Sequence, residues 1–493
     1  MDILSLWERA AILFRKKTAI VDSTGKWKFR DVEGTSSYLA NKLLALGVRS
    51  GDRIAVVAQN SGELLAAYIG IWKAGGTVIP INPSVPVANR VAYSERVNAK
   101  ILIANSNEDL DQASVPGIYL PSKQAEVLSG EQLPVVRSGT NIAACFLTSA
   151  TTGRAKIVEI TDHHLSCAIV SQLATMGCLS PTDSLVVCNP LSHGSMYFSL
   201  SFLLAGGRLV FPKTLAPQSI ITAILSNEAT HLWLVPEMLR FLLRARGVHA
   251  IRTMSLREVI YAAAPMPPQL LINAREQLGC DFRQIYGMTE ALFVGTQVPT
   301  EHVFEERILH ERALPVGRPA PGMRVAVQDD DGTILPAETI GRICVSGDAI
   351  ADGYLPDQEE DKKSTSLRRG RWLLTGDIGW IDLDGFIRLN GRVSDVIVRG
   401  GQKISPVDVE RVIQGHPGVA EVAVVGVADS DWGQTPHAFI VPVHESLDVG
   451  DVMRYCAARL SPHMRPTLIH VVDDIPKTPT GKVQRKRLTN END

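Results

Sequence analysis

The feature that most limits what this chain can fold into is an early alternation of short apolar runs with longer helical stretches. Phe29–Leu46 has helical spacing and ends at Gly47, and Arg53–Ala58 is a short apolar run. Leu64–Lys73 is helical again and stops at Gly75-Gly76, and Thr77–Ile81 is the next apolar run. The rhythm returns at Ser184–Cys188, Arg208–Phe211, His231–Val235 and Glu258–Ala262. Apolar strands separated by helices of roughly ten to fifteen residues predict βαβ units and a largely parallel sheet. After about residue 315 the texture changes. Arg324–Gln328, Gly341–Val345, Trp372–Asp382 and Phe386–Leu389 alternate apolar and polar residues around Asp-Gly turns, which predicts an antiparallel, hairpin-rich part. Gly391 to Asp395 breaks that pattern. Ser405-Pro406-Val407-Asp408 then opens a helix with an N-cap residue and Pro in its first turn. Ala420–Val427 and His437–Val443 read as strands, and Val449–Leu460 reads as a helix. The expected fold is α/β: a large N-terminal domain of mixed, mostly parallel sheets with helices plus a β-rich subdomain, then a small α+β C-terminal domain. The boundary falls near 392–396.

Composition removes several function classes. The 493 residues carry 50 basic and 52 acidic side chains, a net charge of −2, so no basic face for nucleic acid is expected. No apolar run approaches ~18 residues, which predicts no membrane span. Met1–Lys17 puts Ile3, Leu6, Trp7, Ala10, Leu13 and Phe14 on one helical face, but Glu8 and Arg9 interrupt it before a signal-peptide core forms. The seven cysteines show neither a C-x-x-C pair nor a zinc spacing. Reduced thiols and a cytoplasmic location are the simplest reading.

Four stretches carry chemistry. In Phe146 to Lys156, the hydroxyls of Thr148, Ser149, Thr151 and Thr152 lie with Gly153 and Lys156 between two apolar runs. Hydroxyls and backbone N–H groups on a tight loop can wrap phosphate oxygens while a lysine adds a point charge. It is not the G-x-x-x-x-G-K-[ST] loop, and taken alone it is equally a solvated Ser/Thr turn. Ile157–Ile160 reads as a strand, so the loop joins two strands. Gln284 to Glu290 brings Tyr286, which can stack on a purine, together with Thr289, a phosphate contact, and Glu290, an oxygen ligand for Mg²⁺. Leu374-Thr375-Gly376-Asp377 sets a carboxylate beside a glycine turn, where it can accept both hydroxyls of a ribose. Pro476 to Lys482 holds a lysine on a Pro/Gly-stiffened loop. Singly, these are a core tyrosine, a turn aspartate and a surface lysine; together and in this order they are far more specific.

With those motifs in place, the chain resembles the AMP-forming acyl-activating superfamily over essentially its whole length, most closely the acyl-CoA synthetases. Ala19-Ile20-Val21, Gly51-Asp52-Arg53 and Gly75-Gly76 through Pro83 fit as well. The resemblance implies that Thr148, Ser149, Thr151, Thr152, Gly153 and Lys156 form the loop for ATP and departing pyrophosphate. It implies that Ala263-Ala264-Pro265 lies along adenine, that Tyr286 stacks on it, and that Gly287 and Met288 share that nucleotide site. Thr289 corresponds to the α-phosphate contact, Glu290 to the Mg²⁺ ligand, and Asp377 and Arg392 to the residues that hold the ribose hydroxyls. Lys482 corresponds to the lysine that bridges carboxylate and α-phosphate, and His193 to the residue between acid and nucleotide subsites. Met196, Phe198, Tyr261, Ala262 and Phe293 fall near the expected acid pocket, and their character suggests a fatty or aryl acid. The implied domains are 1–391, with the β-rich part at about 315–391, a hinge at 392–395 that contains Ser394, and a mobile domain at 396–493. Gly400-Gly401 resembles the loop lining the channel for the CoA thiol arm.

Some positions depart from the family pattern. Ala150, Ala155 and Ile157 replace a Gly, a Pro and a Gly in the phosphate loop; a positive φ at Ala150 would cost on the order of 1–2 kcal/mol. Arg342 stands where Glu is common, and Ser394 where the hinge usually has Asp or Lys. The implied reaction is attack of a small carboxylic acid on MgATP to give acyl-AMP and pyrophosphate, then transfer to CoA. A separate carrier protein or an amine is the alternative acceptor, and a weakened nucleotide-binding non-enzyme the remaining one. A monomer or homodimer is expected.

Overall fold

A computed structural model describes residues 1–123, 137–148, 156–177, 179–253, 255–296, 314–355, 368–444, 447–477 and 483–490. They form two compact units. One comprises Met1–Leu309, Pro319–Arg324 and Ser346–Leu367; the other comprises His310–Arg318, Val325–Val345 and Arg368–Asp493.

The strands of the first unit are β1 (Thr18–Asp22), β2 (Gly25–Lys28), β3 (Arg53–Val57), β4 (Thr77–Ile81), β5 (Ile101–Ala104), β6 (Gly117–Tyr119), β7 (Ile142–Leu147), β8 (Ile157–Thr161), β9 (Ser184–Val187), β10 (Arg208–Val210), β11 (His231–Leu234), β12 (Glu258–Tyr261), β13 (Asp281–Met288) and β14 (Ala291–Thr296). One sheet runs β6-β5-β3-β4-β7-β8 and another β14-β13-β12-β11-β9-β10-β1-β2. Neighbours pair in parallel except in three sequential hairpins, β1–β2, β7–β8 and β13–β14. Every residue of β4, β9, β11 and β12 is buried, as expected of strands covered by helices on both faces. The helices start where capping chemistry allows. Ser61 Oγ accepts from Leu64 N at 3.2 Å ahead of Gly62–Lys73. Pro217, Pro236 and Pro268 open the helices Pro217–Ser226, Pro236–Leu243 and Pro268–Leu278. The mostly parallel layout read from the alternation is therefore the one observed.

The second unit contains most of β15 (Pro315–Pro319), β16 (Met323–Gln328) and β17 (Gly341–Gly347), together with β18 (Arg368–Arg369), β19 (Trp372–Ile381) and β20 (Ile387–Arg392), then β21 (Ile397–Arg399), β22 (Gln402–Ile404), β23 (Val419–Asp429), β24 (Gly433–Pro442) and β25 (Leu468–Val471). The first group pairs in the order β16-β17-β19-β20-β15, the second in the order β22-β21-β24-β23 with β25 parallel to β24. Helices Pro406–Gln414 and Val449–Ala457 cover the second sheet through Val409, Ile413, Val452 and Cys456. Two local readings change. The pattern expected to break at Gly391 continues as strand through Arg392, which pairs across to Asp377. Ser405 stands at the N-cap of Pro406–Gln414, but its hydroxyl donates to the Asn390 carbonyl at 2.6 Å and makes no cap bond. A bond to the preceding strand competes with the cap and prevails.

A buried ion pair ties the first sheet to the helix Asp162–Thr175. Arg137 Nε donates to Asp162 Oδ2 at 2.7 Å, while its Nη1 and Nη2 donate to the carbonyls of Gly76 and Ile142, each at 3.0 Å. The two side chains are 1% and 0% exposed, so neither charge has water to fall back on. Arg137→Met leaves a buried carboxylate unpaired and should lower stability by about 3–5 kcal/mol, whereas Arg137→Met with Asp162→Leu should recover most of the loss. Chemical denaturation followed by fluorescence of Trp7, Trp27 and Trp72 checks this; a single variant within 1 kcal/mol of the parent overturns it.

Candidate active site

Parallel pairing aligns strand ends. Trp233 pairs with Val187, Leu234 with Tyr261 and Tyr261 with Gln284, so the chain leaves β9, β11, β12 and β13 at one edge of the sheet. Open α/β sheets bind ligands at such carboxyl ends. Three sequence-predicted segments arrive there. The chain after β9 carries His193, which caps Gly194–Leu204 and lies with Nδ1 3.0 Å from Ser192 Oγ. Asn60 holds this loop from both sides: its Nδ2 donates to the Asn189 carbonyl at 2.8 Å and its Oδ1 accepts from Leu191 N at 2.9 Å. Cys188, at the start of the same loop, is buried, and burial raises its thiol pKa. After β12 come Ala262, Ala263, Ala264 and Pro265. Ala263 has φ +72°, a left-handed conformation that costs a non-glycine residue about 1–2 kcal/mol and is retained where the surroundings dictate it.

The hairpin of β13 and β14 carries the aromatic and the carboxylate. Tyr286 pairs with Gly295 and is 7% exposed; Thr289 and Glu290 make the turn. Gly287 is required there, because a Cβ would lie 2.5 Å from the Leu292 carbonyl oxygen. The Tyr197 hydroxyl donates to that same carbonyl, fixing the hairpin to Gly194–Leu204.

Tyr354 draws two predicted elements together. Its hydroxyl donates to Glu290 Oε1 at 2.8 Å, and Lys156 Nζ lies 4.5 Å from its ring centroid. The backbone agrees: Tyr354 bridges Val158, and Ala351 N donates to the Glu290 carbonyl at 2.9 Å. Thr148 and Lys156 close the base of the β7–β8 connection through Thr148 N to Lys156 O at 2.8 Å and Lys156 N to Thr148 Oγ1 at 2.9 Å. Ser149, Ala150, Thr151, Thr152, Gly153 and Ala155 lie outside the described residues, as does Lys482. A carboxylate offers about four lone-pair sites and Tyr354 takes one, which leaves Glu290 with hard oxygens suited to Mg²⁺. Neither Tyr354 nor Asn60 was legible as a site residue, since each acts through a partner distant in sequence.

The pocket residues divide. Met196, Phe198, Tyr261 and Phe293 are at most 1% exposed, Phe198 stacked on Trp233 at 4.4 Å between centroids; Ala262 alone is partly exposed. The four are core side chains.

Within the second unit, Asp377 and Arg392 are register partners on β19 and β20, joined by an ion pair of 3.1 Å. Asp377 is nearly buried and Arg392 is half-exposed. Ser394 lies in the 3-10 turn Val393–Asp395 and donates to Asp395 Oδ1 at 2.9 Å. Gly400 and Gly401, φ +54° and +80°, make the two-residue turn between β21 and β22 that demands positive φ twice. Arg342 forms an ion pair with Asp330 at 2.8 Å, and Lys403 meets the other oxygen of Asp330 at 2.9 Å. The base of the Lys482 loop is closed by a bridge between Lys477 and Val483, and by Gln484 N donating to the Pro476 carbonyl at 2.8 Å.

Comparison with known proteins identifies the family. Residues 7–355 match the AMP-binding enzyme family, and residues 408–482 match the AMP-binding enzyme C-terminal domain. A fatty acid–[acyl-carrier-protein] ligase of Streptomyces coeruleorubidus, ScoC, is 28% identical over 93% of this chain and 90% of its own. A 2-succinylbenzoate–CoA ligase of Bacillus cereus is 28% identical over 99% and 98%. The crystal structure of ATP-bound MatB from Rhodopseudomonas palustris superposes with a TM-score of 0.88 at 25% identity, covering 100% of this chain and 99% of that one. Among the described residues no helix is long and apolar enough to cross a membrane. With the match spanning most of its length, the chain belongs to the AMP-binding enzyme family.

Proposed function

We propose that this protein is an AMP-forming acid–thiol ligase, which activates a carboxylic acid with ATP and passes the acyl group to CoA. The observation that carries the reading is Tyr354, which joins Glu290 of the hairpin that also bears Tyr286 and Thr289 to Lys156 at the base of the β7–β8 connection. A carboxylate repels nucleophiles and has no good leaving group; transfer to AMP supplies one. The substrate oxygen attacks the α-phosphorus in line, the bond to the bridging oxygen breaks, and pyrophosphate departs. Lys156 and the hydroxyls of its loop bind the outgoing phosphates, Thr289 bonds the α-phosphate, and Lys482 neutralises charge between carboxylate and phosphate. Tyr286 stacks on adenine against Ala263-Ala264-Pro265, with Gly287 and Met288 beside it, and the Asp377–Arg392 pair holds the ribose. Mg²⁺ on Glu290 would neutralise phosphate charge. His193 separates the acid from the nucleotide.

The thiol of CoA then attacks the acyl carbon and AMP leaves. For this step we assign residues 392–395 as the hinge between a domain of 1–391 and one of 396–493, with Ser394 at its centre and Gly400-Gly401 along the thiol path. The apolar character of Met196, Phe198, Tyr261, Ala262 and Phe293 favours a fatty or aryl acid. The similarity to ScoC keeps a carrier-protein thiol as the second reading of the acceptor.

Acid-dependent exchange of labelled pyrophosphate into ATP tests the first half-reaction. Fatty or aryl acids should support exchange and amino acids should not; no exchange with any acid overturns the reading. Product analysis with CoA against a phosphopantetheinylated carrier identifies the acceptor. Lys482→Ala should reduce acyl-AMP formation by ~10²–10³ while leaving thiolysis of preformed acyl-AMP largely intact; equal loss of both steps contradicts its role. Tyr286→Ala should weaken ATP binding by about 1–3 kcal/mol, read as the ATP dependence of exchange. Tyr354→Phe removes a hydrogen bond to a charged group worth about 1.5–3 kcal/mol, so exchange should fall by roughly tenfold or more. Part of that loss should return at raised Mg²⁺; a variant with parental rates would remove Tyr354 from the site.

A further inference from the structure

His163, Cys167 and Asp348 bring one atom each of nitrogen, sulfur and oxygen to within 4.8 Å of one another. The two helical members are four residues apart on Asp162–Thr175 and so share a face. Asp348 arrives from a segment far along the chain. Cys167 Sγ lies 3.7 Å from His163 Nε2 and 3.8 Å from Nδ1. A tetrahedral zinc ion with a thiolate at ~2.3 Å and an imidazole at ~2.05 Å would separate those donors by about 3.6 Å. The sulfur–nitrogen distance therefore suits a shared ion, and because Sγ stands almost equally far from both ring nitrogens, rotation of the imidazole would aim one of them at it. His163 and Asp348 are exposed and Cys167 is partly so, which leaves the donors accessible to a metal and free to close by side-chain rotation. Asp348 makes no ion pair with another described residue. Linear spacing shows no zinc pattern because the third donor comes from a distant part of the chain.

We propose that His163, Cys167 and Asp348 form a site for a thiophilic divalent cation of the zinc class, three protein donors with a fourth position open to water. The ion would clamp the helix Asp162–Thr175 to the segment that follows Asp348. That segment runs beside the β13–β14 hairpin: Leu292 N donates to the Ala349 carbonyl at 3.1 Å, Ile350 bridges Ala291, and four residues later Tyr354 meets Glu290. The site is separate from the Mg²⁺ donors, whose oxygen-only set lacks a soft ligand.

The full chain, reduced and free of nucleotide, is titrated with Zn²⁺ by calorimetry and with Co²⁺ by absorption. The parent should bind one equivalent of Zn²⁺, show a thiolate-to-cobalt charge-transfer band, and gain melting temperature with Zn²⁺. Cys167→Ser should lose the band and weaken Zn²⁺ at least tenfold; His163→Gln and Asp348→Asn should each weaken it at least tenfold, with melting temperatures unchanged in the absence of metal. No cobalt band in the parent, or Zn²⁺ binding equally tight in Cys167→Ser, overturns the site. Pyrophosphate exchange in the absence of zinc is unaffected by either outcome, so the test stands apart from the ligase reading.

Discussion

Parallel register is the constraint from which the rest follows. Once Leu234, Tyr261 and Gln284 lie side by side, the loops after β9, β12 and β13 must emerge together, whatever their sequences. The opposite ends of the same strands carry a different kind of residue. His231, Glu258 and Arg283 form a buried polar cluster there, with Arg283 Nε donating to Glu258 Oε1 at 2.9 Å and burial pressing the His231 pKa down to about 4. One end of the sheet is closed by satisfied polar groups, and the other is left to loops. The strained Ala263 and the sterically fixed Gly287 both occur at the loop end, where backbone geometry is dictated by the site more than by local preference.

Much of this was legible in the sequence, because period and punctuation carry it. Thr77–Ile81 is a strand with the bounds read from its apolar run, and Gly62–Lys73 is a helix because Ser61 caps it and Gly75-Gly76 follows. The positions that misled are those where a long-range partner outbids a local rule. Ser405 satisfies a helix-start rule, yet its hydroxyl serves Asn390. Arg392 sits in a stretch that reads as a break, yet the cross-strand charge of Asp377 keeps it in register. Arg137 and Tyr354 gave no signal, since an arginine or tyrosine in a polar loop is unremarkable until its partner 25 or 64 residues away is known.

The candidate residues of the two units are held differently. In the first unit the groups are held by backbone: a hairpin turn, a bridged segment, a closed loop base. In the second, Asp377 and Arg392 are held by each other, so the pair presents acceptor and donor at a fixed distance before any ligand arrives. Preorganisation of that sort lowers the ordering cost of binding.

Cys188 carries a further consequence. An enzyme that makes an activated acyl group risks becoming its own acceptor wherever it carries a reactive thiol. Here that sulfur is packed away from solvent and held in the protonated form by burial. Only the thiolate is an effective nucleophile. Self-acylation of Cys188 is thereby suppressed.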